Sequence, residues 1–152
     1  EDLKKWKADI DKDNLSITFK SPDTLFDVND SKLKSEYKSI LKDFFPRYLK
    51  IILKYKDSIN EIRIEGHTSS PGGYFYNMKL SQERTRSVLQ YIYYLNIVKD
   101  NQEWIRKHIA AIGLSSSKLI YKNGIEDKES SRRVSFRVVT NADEEISKIA
   151  KK

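Results

Sequence analysis

The sequence predicts an α+β fold, a two-layer βαβαββ sandwich in which helices pack on one mixed four-stranded sheet. Three observations predict it. Segments 32–56 and 74–95 carry apolar residues at steps of three and four, the period of a half-buried helix. Segments 15–19, 59–65, 109–112 and 133–140 carry the short apolar runs and alternations of strands. Gly66 and Gly113 punctuate the ends of two of those strands.

In chain order, residues 1–14 are polar and mildly helical. They form an N-terminal arm docked through Trp6 and Ile10, or a linker from an upstream segment. Leu15-Ser16-Ile17-Thr18-Phe19 alternates as a half-buried strand, and Ser21-Pro22-Asp23-Thr24 reads as a turn. Leu33, Tyr37, Ile40, Phe44, Tyr48, Ile51 and Tyr55 make one helical stripe, widened by Leu41, Phe45, Leu49, Ile52 and Leu53. The stripe keeps phase across Pro46, which predicts a kink in one helix and not two separate helices. Ile62 and Ile64 face one side of the next strand, Arg63 and Glu65 the other. A loop from Gly66 to Gly73 leads into the helix of about Tyr74–Leu95. A short helix over 100–107, a strand over 109–112, a polar loop over 115–131 and a strand over 133–140 complete the order. Residues 141–152 begin with a capping asparagine, then acids, then lysines, the order that a helix dipole favours. The domain proper is therefore 15–140.

The 152 residues make one domain able to bury a core without disulfide or metal staples. A hydrophobic share of 38% beside a charged share of 34% fits a well-solvated globule. No apolar run approaches bilayer length, and no signal peptide opens the chain. The chain begins at Glu1, so it reads as a piece of a longer protein whose anchor or export signal lies elsewhere. A net charge of +7 suits an anionic partner such as nucleic acid, anionic lipid or an acidic polymer. It equally suits a plain lysine-rich solvated face, because the lysines alternate with acids and form no compact tract. The absence of cysteine removes disulfides, thiolate metal sites and cysteine nucleophiles.

Arg84 is the residue that asks for chemistry. Asn77, Leu80, Arg84, Val88, Tyr91 and Leu95 share a helix face by spacing, and most of that stripe is apolar. A guanidinium there needs an anionic partner, because an unpaired buried charge is costly. Its planar fork matches a carboxylate. The partner is either a ligand or an internal acid, Asp27 or Glu65 being the candidates. The Gly66–Gly73 loop, with Thr68, Ser69 and Ser70, sits at a strand end where ligands tend to bind. It lacks the lysine and hydroxyl residue of a phosphate-binding P-loop. His67 and His108 are distant in sequence and have no carboxylates at metal-ligand spacing. Ser115-Ser116-Ser117 lacks the glycines of a nucleophile elbow, and no carboxylate pair stands out for glycoside cleavage. The expectation is a non-enzymatic domain with no catalytic residue, cofactor or metal.

Several motifs in order carry a resemblance. Ile64-Glu65-Gly66-His67-Thr68-Ser69, Tyr76-Asn77, and Leu80-Ser81-Gln82-Glu83-Arg84-Thr85-Arg86-Ser87-Val88 resemble the OmpA-like peptidoglycan-binding domain. Phe26-Asp27-Val28-Asn29 and Ser131-Arg132-Arg133-Val134 resemble that family's segments after the first strand and at the closing strand. The resemblance spans roughly residues 15–140. It implies non-covalent binding of the diaminopimelate of peptidoglycan stem peptides. It places Arg84 on the ligand carboxylate and Ser69 where the family carries an aspartate for the ligand ammonium. A serine brings no charge there, and Asp27 or Glu65 could supply it. Asp27, Asn29, Thr68, Ser69, Asn77, Leu80 and Arg84 are the candidate ligand-binding residues by this resemblance.

The long first helix and the Gly-His-Thr-Ser-Ser run look like the subgroup of MotB-like stator proteins, ZorB-like subunits of anti-phage motors included. That implies a periplasmic domain of an inner-membrane-anchored protein, a homodimer in the full-length protein, and a membrane-embedded motor partner. The alternatives are an outer-membrane tether with no motor role and a basic nucleic-acid-binding domain. The nucleic-acid reading explains the charge but not Arg84 on an apolar stripe, so nucleic acid is not the expected partner.

Overall fold

The computed structural model describes residues 2–13, 15–20 and 22–140. The helical tail expected from Asn141 lies outside the described residues. The chain runs through α1 (Asp2–Trp6), β1 (Ala8–Asp11), β2 (Ser16–Phe19), α2 (Pro22–Leu25) and α3 (Ser35–Lys54). Then follow β3 (Ile59–His67), α4 (Tyr74–Tyr93), α5 (Gln102–His108) and β4 (Ile109–Gly113). A small hairpin, β5 (Tyr121–Lys122) and β6 (Ile125–Glu126), precedes α6 (Lys128–Ser131) and β7 (Arg133–Thr140). The α+β sandwich is as expected, but the main sheet has five strands in the order β1-β2-β7-β3-β4. The closing strand β7 therefore lies at its centre. It runs antiparallel to both neighbours, β2 and β3, whereas β3 and β4 are parallel. The parallel pair requires a crossover, which α4 and α5 supply.

The fifth strand comes from the N-terminal arm. Ala8 pairs with Phe19 and Asp11 with Ser16 in an antiparallel ladder. Only Ala8 of the four β1 residues is buried, so the segment has no apolar alternation to betray it. The arm is docked through Trp6, whose ring meets Phe44 edge-on at 5.3 Å and whose Nε1–H donates to Asp43 Oδ2 at 2.8 Å. Arg47 covers the same ring, 5.0 Å from its centroid. Ile10, the other expected anchor, is half exposed. The polar loop of 115–131 also holds more than expected, since strands of two residues and a single helical turn leave no periodic signal. Asp127 caps that turn by accepting the Ser130 N–H at 3.1 Å.

Strand alternation sorts the sheet into two faces. Ile62, Ile64, Val134 and Phe136 are buried beneath the helices. Glu65 opposite Ser135, and His67 opposite Arg133, lie on the helix-free face. Phe136 is the hub of the core, with ring centroids of Phe19, Phe44, Phe45 and Tyr48 between 5.3 and 6.3 Å away. The α3 stripe is buried from Tyr37 to Ile52, but Ile51 and Tyr55, also expected on it, are exposed; the helix is one element through Pro46. Proline cannot donate to the Lys42 carbonyl, but Lys42 lies on the exposed side of the helix, open to solvent.

Helix α4 lies unusually close to the sheet. A Cβ on Gly66 would stand 2.8 Å from Thr85 Cγ2 and 2.9 Å from the Ser81 carbonyl oxygen. A Cβ on Gly113 would stand 2.4 Å from the Gln82 backbone nitrogen and 2.7 Å from Ser81 Oγ. The sheet-facing residues of α4 are correspondingly small at this point: Ser81 and Thr85, both fully buried.

Gly113→Ala is expected to destabilise the fold by about 2 kcal/mol or more, because the obstacle is helix backbone and cannot rotate away. Urea denaturation measures it, and a change below about 0.5 kcal/mol would mean that α4 has freedom to lift from the sheet.

Candidate ligand-binding cleft

Arg84 stands on the edge of α4, one position before the buried Thr85. The buried stripe is Asn77, Leu80, Ser81, Thr85, Val88 and Ile92, so half of it is polar or small. Arg84 is consequently half-buried and reaches sideways toward the segment after α2. There its Nε–H donates to the Asp30 carbonyl at 2.8 Å and its Nη2 to the Asp27 carbonyl at 3.2 Å. The guanidinium also lies 4.8 Å from the Phe26 ring centroid, a cation–π contact. Asn29, in the same segment, adopts a left-handed φ of 59°, which asparagine tolerates better than most residues and which turns the chain back over Arg84.

Neither internal acid neutralises this cation. The Asp27 carboxylate pairs with Lys34 Nζ at 3.5 Å, and Glu65 takes Arg137 through both carboxylate oxygens at 3.2 and 3.3 Å. Among the described residues no carboxylate lies within ion-pair distance of Arg84; its partners are carbonyls and an aromatic face. Burial and the nearby Arg132 lower its proton affinity, while Asp30 and Tyr76 act the other way. A guanidinium stays charged regardless.

A small cleft opens in front of Arg84, lined also by Leu25, Phe26, His67, Arg132 and Arg133. Of the expected ligand-binding residues, Arg84 alone lines this cleft. Asp27 joins it through its backbone carbonyl, with Asn29 exposed nearby. Thr68 and Ser69 are buried in the loop after β3. The Thr68 N–H donates to the Ser115 carbonyl at 2.9 Å and its hydroxyl to the Ser69 carbonyl at 3.1 Å. Asn77 is buried beneath that loop, and its Nδ2 donates to the Pro71 carbonyl at 3.1 Å. Leu80 is buried as well. These residues hold the loop in shape, and Ser70 ties it to the hairpin through Glu126.

Arg132, Arg133, Phe26 and His67 were not among the expected binding residues. The signal for Arg132 was strand parity: it lies two before the inward Val134, on the register of the helix-facing positions. With Arg84 it makes the cleft, about 10 Å³ in volume, strongly cationic, an electrostatic match for an oxyanion at its mouth. His67 is only 7% exposed, and its Nδ1 has no hydrogen-bond partner among the described residues. Burial first, then Arg133 and Lys118, push its pKa from 6.5 down to about 3, so the ring is neutral at physiological pH. Among the described residues no cluster of His, Asp or Glu could hold a metal ion.

Between pH 6.5 and 3 the unfolded chain takes up a proton on His67 that the folded chain refuses. The stability that follows is complete above the unfolded value and is lost as pH falls below it, at no more than about 1.4 kcal/mol per pH unit. Urea midpoints at pH 7 and pH 5 are expected to drop further for the wild type than for His67→Gln. Equal drops would mean that His67 protonates freely in the folded protein.

The OmpA family model matches residues 25–133, which includes the cleft and both glycine contacts. Zorya protein ZorB of Escherichia coli strain Crooks is 49% identical over 158 aligned positions, covering 98% of this chain and 67% of that protein. A second Zorya protein ZorB, from Escherichia coli O139:H28, is 34% identical and covers 74% of this chain and 47% of that protein. The chain thus spans about two thirds and about half of the lengths of these relatives. The periplasmic domain of Helicobacter pylori MotB superposes with a TM-score of 0.59 at 16% identity, covering 95% of this chain and 96% of that one. The cell wall anchor of the T6SS from Pseudomonas aeruginosa gives 0.58 at 20% identity, covering 91% and 92%. With Gly66 and His67 of β3, Arg84 of α4, and Arg132 and Arg133 at the start of β7 lining one cleft inside the matched region, the chain belongs to the OmpA family.

Proposed function

We propose that this domain binds peptidoglycan without covalent chemistry and so anchors a membrane protein, an ion-driven motor stator in particular, to the cell wall. The observation that carries this reading is Arg84: a half-buried cation to which the described residues offer carbonyls but no carboxylate, at the mouth of a cleft shared with Arg132. The ligand group that completes such a site is a carboxylate, and the diaminopimelate of the stem peptide carries one. The similarity to two ZorB proteins and to the MotB periplasmic fold supports the stator assignment, a periplasmic location and a place in anti-phage defence. No helix among the described residues is long and apolar enough to cross a membrane, so the anchor in this reading belongs to another part of the protein. In the full-length protein the domain works as one half of a homodimer beside a membrane-embedded motor partner. Binding is the whole of its task, with no catalytic step.

Arg84→Ala is expected to abolish retention on insoluble sacculi while leaving the circular dichroism spectrum and unfolding midpoint close to wild type. Retention at the wild-type level would overturn the assignment of the cleft, and a DNA gel shift on the same preparations tests the nucleic-acid alternative. Ser69→Asp places an acid in the loop where the family has one. It is expected to hold or raise the affinity for a diaminopimelate-containing tripeptide in calorimetry; a tenfold loss with an unchanged melting curve would move the ammonium contact away from this loop.

A further inference from the structure

The helix-free face of the sheet carries a groove of about 560 Å³ that the stem-peptide reading does not use. Its floor follows from the ladder register. Thr18 of β2, Ser135 of β7 and Glu65 of β3 lie in one cross-strand row, and Ser16, Arg137 and Arg63 in the next. The segment after β4 walls one end through Leu114, Lys118 and Ile120. Most charges on this face are matched. Arg137 is held by Glu65 and Lys20 pairs with Asp9 at 2.6 Å; Asp11, at the other end of the groove, takes the neutral Asp13 N–H on its Oδ1 at 2.9 Å and keeps its charge.

The end beside His67 is different. Arg133 is fixed by donating to the Ser131 carbonyl at 2.9 Å and the Lys118 carbonyl at 3.0 Å, which orients its guanidinium without neutralising it. Among the described residues, neither Arg133 nor Lys118 has a carboxylate within ion-pair distance. Glu65, the acid whose charge Arg133 feels, is already committed to Arg137. Between these cations the His67 ring lines the groove, more than nine-tenths buried, with Nδ1 unpartnered among the described residues. A fixed guanidinium, an ammonium and a buried imidazole around an open groove make a place for three or more oxygen acceptors of one anion.

We propose that this groove is a second ligand site, which takes an oxyanion (the carboxylate or phosphate of a sugar or small solute) between Lys118, Arg133 and His67. His67 and Arg133 border the Arg84 cleft as well, whereas Lys118 lines this groove and not that cleft; the proposal does not depend on the peptidoglycan reading. Bound there, the anion neutralises two cations that no described carboxylate pairs and stabilises the charged imidazole, so occupancy draws the His67 titration upward.

The full chain has two histidines, so ring nitrogen and proton resonances report the site directly. His108, stacked on Trp104 at the opposite end of the sheet, serves as the internal reference. Inorganic phosphate and N-acetylmuramic acid are titrated separately at pH 7 and low ionic strength. Either probe is expected to shift the His67 signals saturably and leave His108 in place; the tighter of the two identifies a phosphoryl or a wall-sugar source. Lys118→Gln is expected to weaken that binding about tenfold, the loss of one charge-assisted contact. Because His67 borders both spaces, the variants assign the site: Lys118→Gln weakens binding and Arg84→Ala leaves the affinity at the wild-type value, and the reverse pattern places the anion in the Arg84 cleft and overturns the proposal. The proposal is overturned if His67 does not move, or if its shift fails to saturate and survives Lys118→Gln, the mark of an adventitious ion only.

Discussion

The contact between α4 and the strand pair β3–β4 governs the rest of this structure. Gly66 and Gly113 remove every side-chain atom from the sheet at the place where the helix crosses it, and Ser81 and Thr85 fill the reduced gap. Ser81 Oγ accepts the Ser115 N–H at 3.0 Å, and Ser115 Oγ donates to the Tyr74 carbonyl at 2.7 Å. The start of the helix, the end of β4 and the loop after β3 are thereby locked into one unit. Arg84 is one position beyond the tight contact, so the closeness of the helix decides where its guanidinium can reach. A helix lifted by the thickness of a methyl group would carry Arg84 away from the Asp27 and Asp30 carbonyls.

The electrostatic design keeps that guanidinium available. Carbonyl dipoles and an aromatic face orient it and lower the cost of burying it, but they leave its net charge intact. The acids that could have neutralised it are held by other cations: Asp27 by Lys34 and Glu65 by Arg137. A protein carboxylate at Arg84 would have to be displaced by any incoming one, and ligand binding would then gain little. Arg132 adds a second positive charge to the cleft, a repulsion that the fold tolerates because packing elsewhere, the aromatic cluster around Phe136 above all, supplies the stability.

Much of this was legible in the sequence, and the failures have physical causes. The α3 stripe, the strand carrying Ile62 and Ile64, and β7 could be read because each buries a continuous apolar face with a clean period. β1 could not, since an edge strand exposed on three of its four residues has no such face. The hairpin was hidden by its brevity. The helix stripe through Arg84 was read from its apolar members, so Ser81 and Thr85, which make the closest approach, were passed over. Arg84 stands out by spacing as a charge on an apolar stripe, whereas the structure puts it at the edge of a buried stripe that is half polar or small. Arg132 is inconspicuous within the Ser131-Arg132-Arg133-Val134 motif, although its parity with Val134 points to the helix side of the sheet. The family resemblance named Thr68, Ser69 and Asn77 as ligand contacts. Their burial shows what each does within the chain, and that was beyond any reading of spacing.

The arm formed by residues 2–11 has a mechanical consequence. Its strand is laced to β2 along the edge of the sheet, and Trp6 is wedged against Phe44 with its indole nitrogen tethered to Asp43. Tension entering from that side meets a ladder and an embedded ring before it can reach the cleft, and it travels onward through β2 to the central strand β7, which ends beside Arg132 and Arg133. A slack leash would absorb such a pull. This arrangement transmits it, because the arm and the strands that border the cleft belong to one hydrogen-bonded sheet.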